Sequence, residues 1–147
     1  DPAPYEALFA LDDHELRRLG AKRCTADSDF GYPCRASLED AKPGDELLLL
    51  SYEHQPADSP YRASGPIYVR RGSTRATLAP GAVPPYVSRR LMSLRAYDAG
   101  HMMIGAEVRE GVDVAAELER LFADPVVAYV HLHNARRGCF SCVARRA

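Results

Sequence analysis

Long apolar runs are missing from this sequence, and so is a charged segment that leads into a short apolar stretch. A transmembrane helix needs about 20 consecutive apolar residues, and a signal peptide needs both of those parts in order. We therefore predict a cytoplasmic protein without a membrane partner. The sequence starts at Asp1 and not at methionine, so it does not determine whether an N-terminal segment was removed.

The sequence also lacks a surplus of positive charge. Nineteen Lys and Arg residues face twenty Asp and Glu residues, which gives a formal net charge of −1. A general nucleic-acid binder needs a basic surplus to displace counterions from phosphates, so nucleic acid is not an expected partner. Only Lys22 and Lys42 are lysines. The many arginines suit bidentate contacts to carboxylate or phosphate, although a GC-rich genome produces the same bias.

Cysteine is scarce, with Cys24, Cys34, Cys139 and Cys142 as the four examples. They would allow two disulfides, but a chain of this size and apolar content does not need them, and we expect reduced thiols. The Cys139-x-x-Cys142 pair is half of a zinc motif without its second half, because Cys24 and Cys34 are too widely spaced.

The length of 147 residues and the 46% hydrophobic content predict a single globular domain over residues 1–147. Asp12 and Glu15 form a capping pattern for a helix that ends at Gly20. The other predicted elements are strands 46–54 and 67–70, a short helix 85–90, a hairpin 91–108, a helix 113–123 and a final hairpin 126–145. This order indicates an α+β fold with a mainly antiparallel sheet, an N-terminal helix, and one helix packed on the sheet before the C-terminal hairpin. The segment Gln55–Pro66 is predicted to be a long loop.

The stretch from Tyr129 to Phe140 carries most of the chemistry. Alternate residues of a strand share a face, so Tyr129, His131 and His133 should lie on one side and Val130 and Leu132 on the other. A connection over Asn134–Gly138 should bring Cys139 back opposite His133. We therefore name His131, His133 and Cys139 as candidate catalytic residues, for proton transfer or for a thiolate activated by imidazole.

Other polar residues stand at predicted strand ends or in adjoining loops. If their faces meet, guanidinium groups would flank imidazoles in a setting suited to a small carboxylate or phosphate. Solvated arginines and packed tyrosines explain the same pattern equally well. The candidate ligand-binding residues are Tyr52, His54, Arg62, Arg95, Tyr97, Asn134 and Arg136.

Four segments, Gly31–Arg35, Tyr52–Pro66, Leu94–Asp98 and His131–Arg136, together resemble the bacterial family called domain of unknown function 1203. The resemblance spans nearly the whole chain. It implies a stand-alone bacterial protein of about this length, and it supplies no substrate, cofactor or catalytic residue. Cys142 does not look like part of the family pattern.

Three hypotheses follow, and the residues leave the reaction and any cofactor undetermined. The first is binding of a small anionic molecule, held by Arg62, Arg95 and Arg136, with acid-base catalysis by a histidine. The second is a non-catalytic metal-binding protein in which His131 and His133 are joined by His54 or His101 as a third ligand. The third is an interaction module or homodimer that uses a sheet edge and the segment Met102–Ile104.

Overall fold

The computed structural model describes residues 1–146. The contacts divide the chain into two compact units. Unit 1 contains residues 1–52 and 66–77, and unit 2 contains residues 53–65 and the chain from Leu78 onward. That the whole chain forms a single domain stays a prediction.

Unit 1 begins with α1 (Ala3–Glu6), a 3₁₀ turn (Ala7–Ala10) and α2 (Asp13–Arg18). The predicted cap of the N-terminal helix is confirmed, because the Asp12 carboxylate accepts the Glu15 N–H while the Glu15 carboxylate accepts the Asp12 N–H. One buried cluster of this unit is mainly aliphatic and consists of Phe9, Leu16, Ala21, Leu48, Leu50, Ile67 and Val69, and a second consists of Ala26, Ala41 and Leu47.

The first sheet has five strands in the order β1-β4-β5-β2-β3. Their bounds are β1 Lys22–Thr25, β2 Pro33–Cys34, β3 Glu39–Asp40, β4 Glu46–Gln55 and β5 Ala63–Arg70. The predicted start of β5 at Ile67 is wrong, since the strand begins four residues earlier. A ten-residue β4 offers a partner along most of this length, and Pro66 forfeits only one N–H of the ladder. The predicted loop therefore shortens to residues 56–62.

Unit 2 contains the second sheet, four antiparallel strands in the order β7-β6-β8-β9. Its elements are α3 Pro85–Ser88, β6 Leu91–Tyr97, β7 Met103–Glu110, a 3₁₀ turn Gly111–Asp113, α4 Val114–Phe122, β8 Tyr129–Asn134 and β9 Phe140–Arg145. The α+β class is confirmed, with two antiparallel-rich sheets in place of one. Within residues 1–146, no helix is long and apolar enough to cross a membrane.

One face of the second sheet is apolar and covered by α4. Leu94 pairs with Leu132 in register, and both are buried. On this face the Glu117 carboxylate of α4 binds Arg109 of β7 at 2.9 Å and also binds Arg120 of its own helix. The predicted packing of this helix on the sheet is thus confirmed.

The turn of the final hairpin differs from the prediction by one residue. Asn134 stays in the ladder, because its N–H donates to the Cys139 carbonyl at 2.9 Å, so His133 pairs with Phe140 and not with Cys139. Gly138 has a positive φ of 75°, a conformation that glycine adopts readily in a turn. The register then shifts between Leu132 and His133, which leaves Ser141 as the extra residue of a β-bulge.

A candidate metal centre built from three histidines

Three histidines converge on the second face of the four-stranded sheet. His131 and His133 lie two residues apart on β8, as predicted, and are 4% and 1% exposed. His54, near the end of β4, brings its ring centroid to 5.1 Å from that of His133 and 6.0 Å from that of His131. One ring nitrogen from each of the three residues lies within 4.8 Å of the other two.

Hydrogen bonding settles which nitrogen of His133 carries a lone pair. Its Nδ1 lies 2.9 Å from the Gly138 carbonyl oxygen, which can only accept, so Nδ1 is protonated and the lone pair is on Nε2. Such a bond to a backbone carbonyl is the usual way in which a metal-binding imidazole is oriented. The turn glycine therefore also positions a histidine of the cluster.

The other two rings each bury a nitrogen that has no hydrogen-bond partner among residues 1–146. These atoms are Nδ1 of His54 and Nδ1 of His131. A buried polar atom left without a partner costs about 1–3 kcal/mol. Both atoms belong to side chains that converge with a third imidazole.

Burial and nearby positive charge lower the pKa of two of these imidazoles, those of His131 and His54. Burial lowers the pKa of His131 to about 4, and positive charge on His133, His54, Arg145 and Arg95 acts in the same direction. Burial also lowers the pKa of His54, with a smaller contribution from the guanidinium of Arg95. Neutral imidazole is the form that binds a metal ion, so this environment favours ligation over proton storage.

Phe140 packs against all three histidines. Its ring is stacked on His54 at 5.0 Å with an interplanar angle of 3°, and it meets His131 and His133 edge-on at 5.2 Å and 5.6 Å. The bulge at Ser141 makes this possible. Without it, strict alternation would place Phe140 on the apolar face together with Cys142 and its partner Leu132. One side of the cluster is therefore closed by an apolar ring.

Tyrosines extend the same face toward the other end of β8. Tyr97 and Tyr129 are paired in register and stacked at 5.1 Å, and each lies about as far from the ring of His131. The Tyr129 hydroxyl accepts from Gln55 Nε2 at 2.7 Å and lies 3.0 Å from Nδ1 of His101. His101 is therefore engaged by Tyr129, and His54 is the histidine that joins the β8 pair.

Arg95 pairs with His131 in the ladder between β6 and β8, so its half-buried side chain lies on the histidine face. Its only hydrogen bond within residues 1–146 is a 3.5 Å contact from Nε to the Ser93 hydroxyl, and no carboxylate forms an ion pair with it. The predicted proximity of Arg95, Tyr97 and the imidazoles is therefore present. Such a cation beside neutral rings attracts anions.

The remaining predicted residues are placed differently. Arg62 is neutralised by Glu53 at 2.8 Å, Arg136 is exposed in the hairpin turn, and Tyr52 is an exposed residue of unit 1. Asn134 is half-buried at the end of β8, and Cys139 lies opposite Asn134 and not opposite His133. Roles for these five residues in ligand binding or catalysis stay predictions.

Sequence reasoning did not list several residues that contact or flank the cluster. Phe140 and Arg145 reach the histidine face through the bulged register of β9. Tyr61 lies in the loop after β4, and its ring centroid is 6.0 Å from that of Tyr97. Alternation did place Tyr129 on the histidine face, and the structure adds Arg145, which pairs directly with Tyr129 across β8 and β9. No comparable local signal marks Tyr61 or Gln55, because their contacts join segments far apart in the chain.

The predicted interaction segment lies at the edge of the sheet. β7 is an outer strand, and Met102, Ile104 and Val108 are exposed while Met103 is half-buried. Dimerisation through this strand stays a prediction.

Comparisons with known proteins return a family without an assigned activity. No curated protein and no solved structure matches the chain. The model of the family described as "Protein of unknown function (DUF1203)" matches residues 31–146, which include all three histidines of the cluster. The chain therefore belongs to the DUF1203 family.

Proposed function

We propose that His54, His131 and His133 bind one divalent transition-metal ion, with zinc as the first candidate. The observation that carries this proposal is the convergence of three imidazole nitrogens within 4.8 Å of one another. Three histidines with a fourth position left for water or a ligand are a known arrangement for catalytic zinc. Acidic residues are absent from the three-residue cluster, so the metal would keep its full positive charge.

The distances require only a small adjustment on binding. In a tetrahedral site with metal–nitrogen bonds of about 2.0–2.1 Å, the nitrogens lie about 3.3 Å from each other. The nitrogen–nitrogen distances are at most 4.8 Å, so none has to shorten by more than about 1.5 Å. Rotation of the imidazole rings allows a change of this size. His133 is already oriented by the Gly138 carbonyl, so His54 and His131 are the rings expected to move.

Metal binding fits the cluster better than proton transfer by the histidines themselves. A base with a pKa of about 4 accepts protons weakly near neutral pH, and this is the value for His131. A metal-bound water offers an alternative acid-base group, because coordination to zinc lowers the pKa of water to about 7. Catalysis, if the protein is an enzyme, would then use the metal-bound water.

Binding of a small anion is the second candidate function, and it is compatible with the first. Arg95 supports it, because this guanidinium lies beside His131 without a carboxylate partner in residues 1–146. A carboxylate or phosphate oxygen at the open metal position would lie on the same face as Arg95. We include a cytoplasmic location in the proposal, supported by four cysteines that carry thiols and not disulfides.

Metal analysis tests the proposal directly. The protein, purified without an affinity tag, should contain about one equivalent of zinc, iron or copper, or should take up one equivalent of zinc after treatment with a chelator. The His131→Gln, His133→Gln double variant should lose it, and His54→Gln should weaken binding by about 10- to 100-fold or more. His14→Gln is the matched control, since His14 is an exposed residue of α2.

Circular dichroism of each variant shows whether loss of metal accompanies loss of fold. Metal retained at full stoichiometry in the folded double variant would contradict the proposal. Wild-type protein that neither carries metal nor takes up zinc would contradict it as well.

A further inference from the structure

Arg145 is a second unneutralised cation on the histidine face. It pairs with Tyr129 in the ladder between β8 and β9, and its guanidinium carbon lies 5.5 Å from the centre of the Tyr129 ring. Its side chain is exposed, and it forms no ion pair with any of residues 1–146. A solvated surface arginine with no carboxylate nearby is common. Whether Arg145 can contribute to ligand binding therefore depends on the residues around it.

Those surroundings carry positive charge from two directions. β6 and β9 flank β8 on opposite sides, so Arg95 and Arg145 approach the histidine strand from its two neighbours. β6 and β9 lie about 10 Å apart, because adjacent strands are spaced by about 4.8 Å. None of the residues that share this face of the three strands is acidic: they are Leu91, Ser93, Arg95, Tyr97, Tyr129, His131, His133, Phe140, Val143 and Arg145.

The charge balance then calls for more than one negative group. A divalent ion on three neutral imidazoles keeps its charge, and two guanidinium groups add to it. One carboxylate at the metal can pair with Arg95 on β6. Arg145, on β9 beside Tyr129, offers a separate position for a second acidic group of the same molecule.

We propose that the ligand of this site is a small molecule with two separate acidic groups. One group occupies the open position of the metal beside Arg95, and the other pairs with Arg145 beside Tyr129. This inference rests on the proposed metal site and assigns its ligand class. Arg145 is thereby a residue that selects diacids over monoacids.

Isothermal titration calorimetry of the zinc-loaded protein tests this with acids of matched length. Malonate, succinate, glutarate and adipate are each compared with the straight-chain monocarboxylate of the same number of carbons. At least one diacid should bind up to about fivefold more tightly than its monoacid, which is the contribution of one ion pair at an exposed side chain. Arg145→Gln should abolish this preference by weakening diacids more than monoacids, whereas Arg95→Gln should weaken both acids alike.

Arg137→Gln is the matched control, because Arg137 is an exposed arginine of the neighbouring turn and should leave both affinities unchanged. The inference is overturned if no diacid exceeds its monoacid, if Arg145→Gln keeps the preference, or if inorganic phosphate binds as tightly as the best diacid. Zinc content measured on each sample distinguishes failure of the metal site from failure of the ligand class. Wild-type protein that takes up no zinc refutes the metal site, whereas zinc-loaded protein without a diacid preference refutes only the ligand class.

Discussion

The two faces of β8 are equally buried for opposite physical reasons. Val130 and Leu132 are 0% and 2% exposed and lie on the apolar face, where burial itself is favourable. His131 and His133 are 4% and 1% exposed, yet their polar nitrogens lose water on that side of the strand. One face therefore stabilises the fold, while the other uses part of that stability to hold imidazoles in a defined arrangement.

The contrast explains why the cluster indicates function. Buried polar groups in a core are normally satisfied by hydrogen bonds, and the bond between Nδ1 of His133 and the Gly138 carbonyl follows that rule. The buried Nδ1 atoms of His54 and His131 depart from it within the described chain. Under the proposed function, a metal ion that binds only the folded cluster should stabilise the folded protein.

The largest expected effect is on the apolar face. Leu132→Ala removes a fully buried side chain opposite Leu94 and should lower the free energy of unfolding by about 2–5 kcal/mol. Chemical denaturation of metal-free protein measures this value. Val143→Ala, at an exposed position of β9, serves as the control with a change within about 0.5 kcal/mol.

Zinc uptake by the folded fraction of Leu132→Ala should match that of the wild type, since the side chain points away from the histidines. A loss below about 1 kcal/mol would show that this face is not a packed core.

A somewhat smaller effect is expected from acid on the histidine face. The folded-state pKa of His131 is about 4, against 6.5 for an unperturbed histidine. Between pH 4 and 6.5, His131 is therefore protonated in the unfolded chain and mostly neutral in the folded chain. The free energy of unfolding of metal-free protein should therefore fall as pH drops from about 6.5 to 4, by up to about 3 kcal/mol. Above pH 6.5 this residue contributes no pH dependence.

His131→Gln isolates that contribution, because glutamine does not titrate. Denaturation curves at pH 7, 5.5 and 4.5 should show a shallower loss of stability in the variant than in the wild type. Equal slopes for the two proteins would mean that His131 is accessible to protons in the folded state, which contradicts the buried cluster.

Local sequence patterns were sufficient for the framework of this site. The cap of α2 follows from Asp12 and Glu15, and the separation of Tyr129, His131 and His133 from Val130 and Leu132 follows from the period of two in a strand. Arg95 and Tyr97 share their face for the same reason. These features depend on residues within a few positions of one another, and such rules are reliable over that range.

What the sequence did not give depends on register and on contacts between distant segments. A single extra residue, Ser141, turns Phe140 toward the histidines, and no local signal distinguishes that bulge from regular pairing. The choice of His54 over His101 as the third histidine depends on where the end of β4 lies against β8 and β9, which periodicity does not encode. The same holds for Gln55 on Tyr129.

The smallest expected effect belongs to Arg136, which the sequence placed among the ligand-binding residues and the structure leaves exposed in the hairpin turn. Arg136→Ala should change the free energy of unfolding by no more than about 0.5 kcal/mol, since it removes no buried contact. Zinc stoichiometry should be unchanged, and affinity for a carboxylate ligand should fall by about twofold at most, because water and salt screen an exposed charge. The measurement is the calorimetric titration of zinc-loaded protein, with Arg95→Gln beside it as the variant expected to lose affinity. A tenfold loss of carboxylate affinity in Arg136→Ala, without a change in stability, would show that the turn closes over the bound ligand. Arg136 and the histidine face would then belong to one binding site.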